Sequence, residues 1–464
     1  MPDPSAPAPR PIAGTRRVLA ARVRDWLSRW NAVLPLFAAE LIVWLGFGAL
    51  LPIMPLYFRE HGVDLRMLGF VIAAWPAARL IGEPVFGWVA DRTARVPLMV
   101  AGLVVTAFAL GLPLVITGPV PFLVLRALAG LSTAVYDPAA RGYLTDSTPA
   151  ARRGEAFGLY AAAQMAGLLL GPAIGGLGAA LFGGVAFVFV FGAATTLLAA
   201  LAVALRVHES PAVPRHHVAP STDLTEFPSD PPSLQERAAA DLAAEELAAA
   251  DPPPADQPGS PSARPTTLRN RWLVSALVLN LGGFLSGGTY EVIWSVFLES
   301  RGAGLDLIGL TFAMFALPVL ILSPIAGRLV DRRGVYPFIV AGSLLPAVAS
   351  VTYPFIQVPV FVIPVVMLEA SGFALLNPAL YSVVAAGSPR GRSSTAQGLF
   401  GASGTVGTII AAVATGYLAQ IDIRYPFFIA ATALLVCLVI GLAIGGGALR
   451  RLGPAAPSPA RAGV

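Results

Sequence analysis

From Phe157 to Phe182 the chain carries no charged side chain, and runs of this kind recur from residue 32 to residue 448. A bilayer core about 30 Å thick takes roughly 20 apolar residues per helix. A chain that crosses a membrane many times needs such runs; a soluble core does not. The charge content agrees, at 12% of residues against about 25% in soluble domains. The pattern predicts an all-α integral membrane protein.

Counting apolar runs between turn signals gives twelve spans, beginning near residues 32, 66, 96, 120, 156, 184, 272, 306, 336, 359, 394 and 425. The predicted organisation is a tail over 1–31, a six-helix bundle over 32–206, a linker over 207–271, a second bundle over 272–448 and a tail over 449–464. In the first tail, RRVLAARVRDWLSRW interleaves apolar residues with five arginines. It reads equally well as an anchor on anionic lipid or as a plain basic tail. The linker is rich in Pro, Ser and acidic residues and is expected to be largely disordered. Within it, SLQERAAADLAAEELAAA has the composition of a short surface helix.

All basic residues apart from the histidines are arginine, and 25 of the 31 fall on the side that holds both tails and the linker. The positive-inside rule then puts both termini in the cytoplasm of a multi-pass cell-membrane protein. The one cysteine, Cys437, excludes an intramolecular disulfide or a cysteine-based metal site, and the four histidines fall in loops. No Ser–His pair or Cys/His cluster remains to support a membrane enzyme. A phosphate-binding loop needs lysine, and there is none. No cofactor or nucleic-acid partner is expected, and the energy must come from a proton or solute gradient.

Shifted by 240 residues, the chain lies on itself without a gap. Gly62 meets Gly302, Gly69 meets Gly309, Pro84 meets Pro324, and Gly176 meets Gly416. Gly87, Asp91 and Arg92 meet Gly327, Asp331 and Arg332. The chain is therefore read as two homologous six-helix halves in parallel orientation. Two such halves around a midplane site are the architecture of a secondary transporter that rocks one half against the other.

Between the second and third spans the chain reads GWVADRTAR (87–95), and its repeat reads GRLVDRRG (327–334). Both resemble the loop signature of the major facilitator superfamily, G-x-L-A-D-R-x-G-R-[KR]. The resemblance implies a gate on the cytoplasmic side built from Gly87, Asp91, Arg92, Arg95, Gly327, Asp331 and Arg332. YLTDSTPAARRGEAFG (143–158) resembles the family's loop after the fourth span, and adds Asp146 and Arg153. Arg153 is expected to pair with Asp91; Ala386 stands where Asp146 would repeat, so the latch is expected to be asymmetric. In the fourth span, LVLRALAGLSTA resembles the family's L-x-x-R-x-x-Q-G, with Arg126 and Gly130 matching and Ala129 in place of Gln.

GLLLGPAIGG (167–176) fills every position of G-x-x-x-G-P-x-x-G-G, which resembles the fifth-span signature of the family's drug:proton antiporter branch. Gly167, Gly171 and Gly175 recur every fourth residue, so they share one helix face with room for a close neighbour. Pro172 and Gly176 complete the motif. The resemblance covers nearly all of 32–448. It implies proton-coupled export of amphipathic small molecules, with protons and membrane lipid as the other partners and a monomer as the working unit.

Ionisable residues inside spans mark ion and substrate paths. The candidates are Glu40 and its repeat mate Asn280, Arg79 and Glu83, Arg126 and Asp137, Glu291, and Glu369. Arg79 and Glu83 are four apart and can pair on one helix face. A carboxylic acid in a dry cavity exchanges its proton nearer neutral pH than one in water, so an acid that takes either a proton or a cation makes an antiporter. Tyr136, Gln164, Trp75, Tyr290 and Trp294 are candidate wall residues. Two rivals stand: an uptake symporter for a small metabolite, in which the arginines would favour an anion, and a non-transporting lipid-handling or sensory membrane protein.

Overall fold

The computed structural model describes residues 29–149, 152–182, 184–209, 265, 267–389 and 392–451. The basic segment before residue 29, most of the 207–271 linker and the end of the second tail lie outside the described residues. Every regular element among the described residues is helical. The first half comprises α1 (Leu34–Leu50), α2 (Met54–Glu60), α3 (Leu65–Ala90), α4 (Arg95–Gly111), α5 (Pro119–Asp146), α6 (Arg153–Leu181) and α7 (Ala186–Arg206). The second comprises α8 (Arg271–Ser300), α9 (Leu305–Arg333), α10 (Tyr336–Thr352), α11 (Val362–Gly387), α12 (Ser393–Ile421) and α13 (Tyr425–Arg451).

Eleven of these helices are long and apolar enough to cross a bilayer, and α1 with α2 makes a twelfth span bent by 46°. The sequence predicts a single helix there. The break falls at Leu51–Ile53, around Pro52, which has no N–H for the helical ladder and crowds the preceding turn.

The repeat appears in the turns. Gly62 and Gly302, its mate at a shift of 240, both take positive φ, +86° and +82°. Each ends a helix with the same pair of backbone bonds: Gly62 N–H donates to the Arg59 carbonyl and Val63 N–H to Phe58, while Gly302 N–H donates to Glu299 and Ala303 N–H to Leu298. A left-handed residue at a helix end is cheapest as glycine.

Among the described residues, the apolar cores of the two halves merge at one end. Remote from the described chain ends, one apolar core draws on both: Phe58, Leu68 and Val71 share a cluster with Phe297, Ile308 and Ala412. At the opposite end each half keeps a core of its own, one around Met99, Tyr143 and Val203, the other around Val330, Ile339 and Val383.

Two glycine seams close the shared end. A Cβ built on Gly69 of α3 would lie 3.2 Å from the Gly416 Cα of α12. One built on Gly309 of α9 would lie 2.9 Å from the Gly176 Cα of α6 and 2.6 Å from the Pro172 carbonyl oxygen. Since Gly69 repeats as Gly309 and Gly176 as Gly416, the seams are one contact made twice. Side-chain-free backbones can approach this closely and recover dispersion energy that lipid cannot supply. Arg66 adds a cation–aromatic contact beside the first seam, 4.4 Å from the Tyr417 ring centroid.

Candidate transport site

Where the halves part, a cavity of about 1440 Å³ lies between them, bordered by Arg79, Glu83, Arg141 and Phe157 on one side and Gln397 and Leu399 on the other. A deeper cavity of about 370 Å³ lies mainly in the second half. Phe284 and Glu291 of α8 border both, so the two spaces meet at these side chains. Glu291 is exposed to them although it lies within a membrane span.

Glu369 of α11 borders the deeper cavity and is 2% exposed. The Tyr353 hydroxyl donates to its Oε2 at 2.6 Å. Its Oε1 has no hydrogen-bond partner among the described residues. Around it stand aromatic rings: Trp294 is 4.7 Å and Tyr290 5.9 Å from Tyr353, centroid to centroid. Tyr290 is fixed by a 2.6 Å bond between its hydroxyl and Ser350 Oγ, and Trp294 by donation to Thr311 Oγ1 at 2.9 Å. An acid with a free acceptor among ring faces suits an organic cation. Tyr353 is the site residue that sequence reasoning does not single out. It lies at the end of a span, where aromatics are ordinarily interface anchors.

In the first half, Arg79 bonds to both Glu83 and Asp137, each at 2.5 Å. The expected Arg79–Glu83 pair is therefore present, and Asp137 joins it. Arg141 adds a contact to Asp137 at 3.6 Å; the spacing from Asp137 to Arg141 is one helical turn, a signal present in the sequence but not used. Trp75 stacks on Phe47 and lies near two cations, 4.7 Å from Arg79 and 5.8 Å from Arg126.

Glu40 and Asn280 occupy equivalent places and do equivalent packing work. Glu40 is fully buried and accepts from Trp44 at 2.9 Å, Tyr136 at 2.7 Å and Gln164 at 2.5 Å. These bonds tie α1 to α5 and α6. Asn280 donates to the Phe400 carbonyl at 2.8 Å and to Ser403 at 3.0 Å, tying α8 to α12. Asn280 borders the deeper cavity, whereas Glu40 borders neither it nor the large cavity between the halves.

A family model described as Major Facilitator Superfamily matches residues 36–284 and 279–462. This chain belongs to that superfamily. It is a multi-pass membrane transporter and not an enzyme. It is 25% identical over 410 residues to "Multidrug resistance protein 2" of Bacillus subtilis (strain 168), covering 85% of this chain and 90% of that protein. To "Quinolone resistance protein NorA" of Staphylococcus aureus (strain Mu50) it is 27% identical over 140 residues, 29% of this chain and 35% of that one. Among solved structures, a bacterial homolog of the human lysosomal transporter Spinster in an inward-facing, occupied conformation gives a TM-score of 0.68 at 15% identity, covering 94% of this chain and 99% of that one. The peptide transporter POT in complex with sulfate gives 0.67 at 16%, covering 91% and 96%. These two likenesses concern the fold alone.

The superfamily's loop signature sits largely on helix ends here. α3 runs through Gly87 to Ala90 with Asp91 as its C-cap, and α9 carries Gly327, Asp331 and Arg332 within it. The expected Arg153–Asp91 pair does not form. Arg153 donates to the Thr145 carbonyl at 3.3 Å, and Arg95 joins Asp91 at 3.9 Å to Asp146 at 3.1 Å. Arg95 stands one helical turn beyond Asp91 and packs against Gly142, a position that Arg153 does not reach. Arg92 lies 4.0 Å from the Trp88 ring centroid instead. In the second half Arg95 repeats as Val335 and Asp146 as Ala386, so both poles of the latch are absent. No described residue pairs with Asp331, in keeping with the asymmetry expected from Ala386.

Asp91 is largely exposed, and Asp146 is half-buried. The long, exposed Asp91 contact is worth roughly 0–1 kcal/mol, whereas Asp146 is the nearer partner of a guanidinium that is itself largely buried, so its loss leaves that charge uncompensated. Thermal unfolding in detergent should therefore move little for Asp91→Asn and clearly downward for Asp146→Asn. Equal shifts would mean that Arg95 does not anchor this corner through Asp146.

The antiporter-type motif has two faces. Gly167, Gly171 and Gly175 lie on α1 of their own half: a Cβ on Gly167 would stand 2.6 Å from the Leu41 carbonyl oxygen, and one on Gly171 2.6 Å from that of Leu45. Gly176 and the Pro172 carbonyl turn to the opposite half, at the α9 seam, while the Pro172 ring lies against Gly48 of α1. The expected tight face is present, and most of it fixes the α1–α6 pair rather than the boundary between halves.

Proposed function

We propose that this protein exports amphipathic, positively charged small molecules across the cell membrane in exchange for protons. The observation that carries this reading is Glu369: an acid beside an aromatic cavity, with one oxygen held by Tyr353 and the other without a partner. Such a group takes either a proton or an organic cation, and the two compete. The two relatives, named as multidrug and quinolone resistance proteins, support export of drug-like molecules.

With both termini in the cytoplasm, as the arginine distribution favours, the large cavity faces inward. A cation enters from the cytoplasm, passes Glu291 and displaces a proton from Glu369. The two glycine seams then part as the inner ends close, and the substrate leaves outward. A proton from outside neutralises Glu369 and allows the return. Binding energy drives the change only through its difference between the two states.

The test uses inside-out membrane vesicles containing the full chain and a fluorescent lipophilic cation. Uptake of the dye should follow an imposed proton gradient, acid inside, and should stop when a proton ionophore is added. Dye uptake indifferent to the gradient, or proton entry coupled to a small metabolite instead, would overturn the proposal.

A further inference from the structure

Arg126 lies in α5 with 6% of its surface exposed. No described residue accepts a hydrogen bond from it, and its Nε and Nη1 are buried without partners. The contrast with Arg79 is direct. Both guanidiniums stand near Trp75, yet Arg79 is paired directly with Glu83 and Asp137, while Arg126 contacts only the ring and has Glu291 as a more distant counter-charge. A buried guanidinium whose donors are unmatched is unfavourable, and those donors are free to receive an anion that comes and goes.

There is room for one. A cavity of about 40 Å³ adjoins Arg126, bordered also by Trp44, Phe47, Trp75, Thr133 and Asp137, whose carboxylate is already held by Arg79 and Arg141. A water molecule needs roughly 10–15 Å³ of such space, so this cavity admits a carboxylate-sized group and not a whole drug. Trp75 borders both this space and the large cavity between the halves. The way in therefore runs past the indole. The charge that bears on Arg126 from the second half is Glu291, which borders both larger cavities. A positive pole in the first half thus faces negative poles in the second, with apolar and aromatic walls between them.

We propose that Arg126 is the seat for the anionic group of a zwitterionic amphiphile, whose cationic end is taken by the carboxylates of the second half. This rests on the reading of the deeper cavity as a cation site and narrows its substrate class. Glu291 and the substrate's anion would compete for the same guanidinium. Bound substrate would then span both halves, one pole on each, and tie its own binding to their relative movement.

The experiment compares two probes that differ in one group: a rhodamine with a free carboxylate and the methyl ester of the same dye. Binding to the purified full chain in detergent is read by fluorescence polarisation at neutral pH. A charge-assisted bond to a buried guanidinium should make the free acid bind about tenfold more tightly. Arg126→Gln should remove that preference and leave ester affinity within about twofold. Equal or tighter ester binding by the unaltered protein overturns the proposal, and that comparison needs no variant to fold. A preference that survives Arg126→Gln also overturns it. If the free acid binds through Arg126 but the ester does not bind at all, the anion seat stands and the cation site falls. If neither dye binds, both fall.

Discussion

Glu369→Gln is expected to abolish concentrative export while the protein is still made and inserted. Glutamine has the shape of glutamate, and its carbonyl can accept the Tyr353 hydroxyl as Oε2 does now. What it lacks is the proton to exchange and the charge to offer. Loss of a charge-assisted contact lowers cation affinity by about 10- to 100-fold, from roughly 1.5–3 kcal/mol. Loss of exchange removes the gradient's hold on transport altogether. The measurement is dye accumulation in energised vesicles, alongside proton release from purified protein as a lipophilic cation is titrated in. Tyr353→Phe is the milder companion: the charge stays, one donor goes, and the loss should be about fivefold for a bond worth near 1 kcal/mol. Glu40→Gln separates coupling from architecture. Glu40 is fully buried and accepts from three donors, so its loss should appear first as lower thermal stability. If Glu40→Gln stops proton release and Glu369→Gln does not, the acid has been assigned to the wrong half.

The fold was legible because its causes are local. Spans were countable from uncharged runs, and the 240-residue shift placed Gly62 on Gly302 and Gly69 on Gly309 before any coordinates. Each of those pairs performs one physical task twice, a left-handed turn or a backbone seam. The α1–α2 break was less legible, since Pro52 sits in an apolar run whose hydropathy does not register a bend. The site was legible as a set of residue types and not as a network. Arg79 and Glu83 could be paired by their helical spacing, whereas Asp137 reaches Arg79 from 58 positions away. The latch was misassigned for a similar reason. Asp91, Arg95, Asp146 and Arg153 all lie at one membrane edge, and only packing against Gly142 decides which arginine sits between the acids. The side of the motif that each glycine serves also needed the neighbours, because periodicity shows that Gly167, Gly171 and Gly175 share a face without showing which helix fills it.

That division of the motif predicts two different failures from one substitution made at two places. A Cβ on Gly176 would stand 2.7 Å from the Leu305 carbonyl oxygen and 2.9 Å from the Gly309 Cα, both in the opposite half. Gly176→Val must therefore push the halves apart where they now meet, while packing within the first half is spared. The protein should accumulate normally and transport at about 1% of the unaltered rate or less, a loss that corresponds to near 3 kcal/mol against the closed seam. Gly171→Val strikes α1 of its own half, where the Leu45 carbonyl oxygen is 2.6 Å away. Overpacking inside a bundle costs about 1–3 kcal/mol or more, so this variant should be lost as folded protein. Cys437 is the one native cysteine, and replacing it by serine frees the chain for labelling. Spin labels at Glu60 and Glu299, at the C-terminal ends of α2 and α8, report the gap between halves. In Gly176→Val that distance should lengthen relative to the parent, and adding substrate should not shorten it. An unchanged distance with transport within about twofold of the parent would mean that the seam is a passive contact. A longer distance with transport intact would mean that closing this end is not a step of the cycle. Glycine on both sides of both seams is what a transporter needs if these backbones are to meet in every turnover.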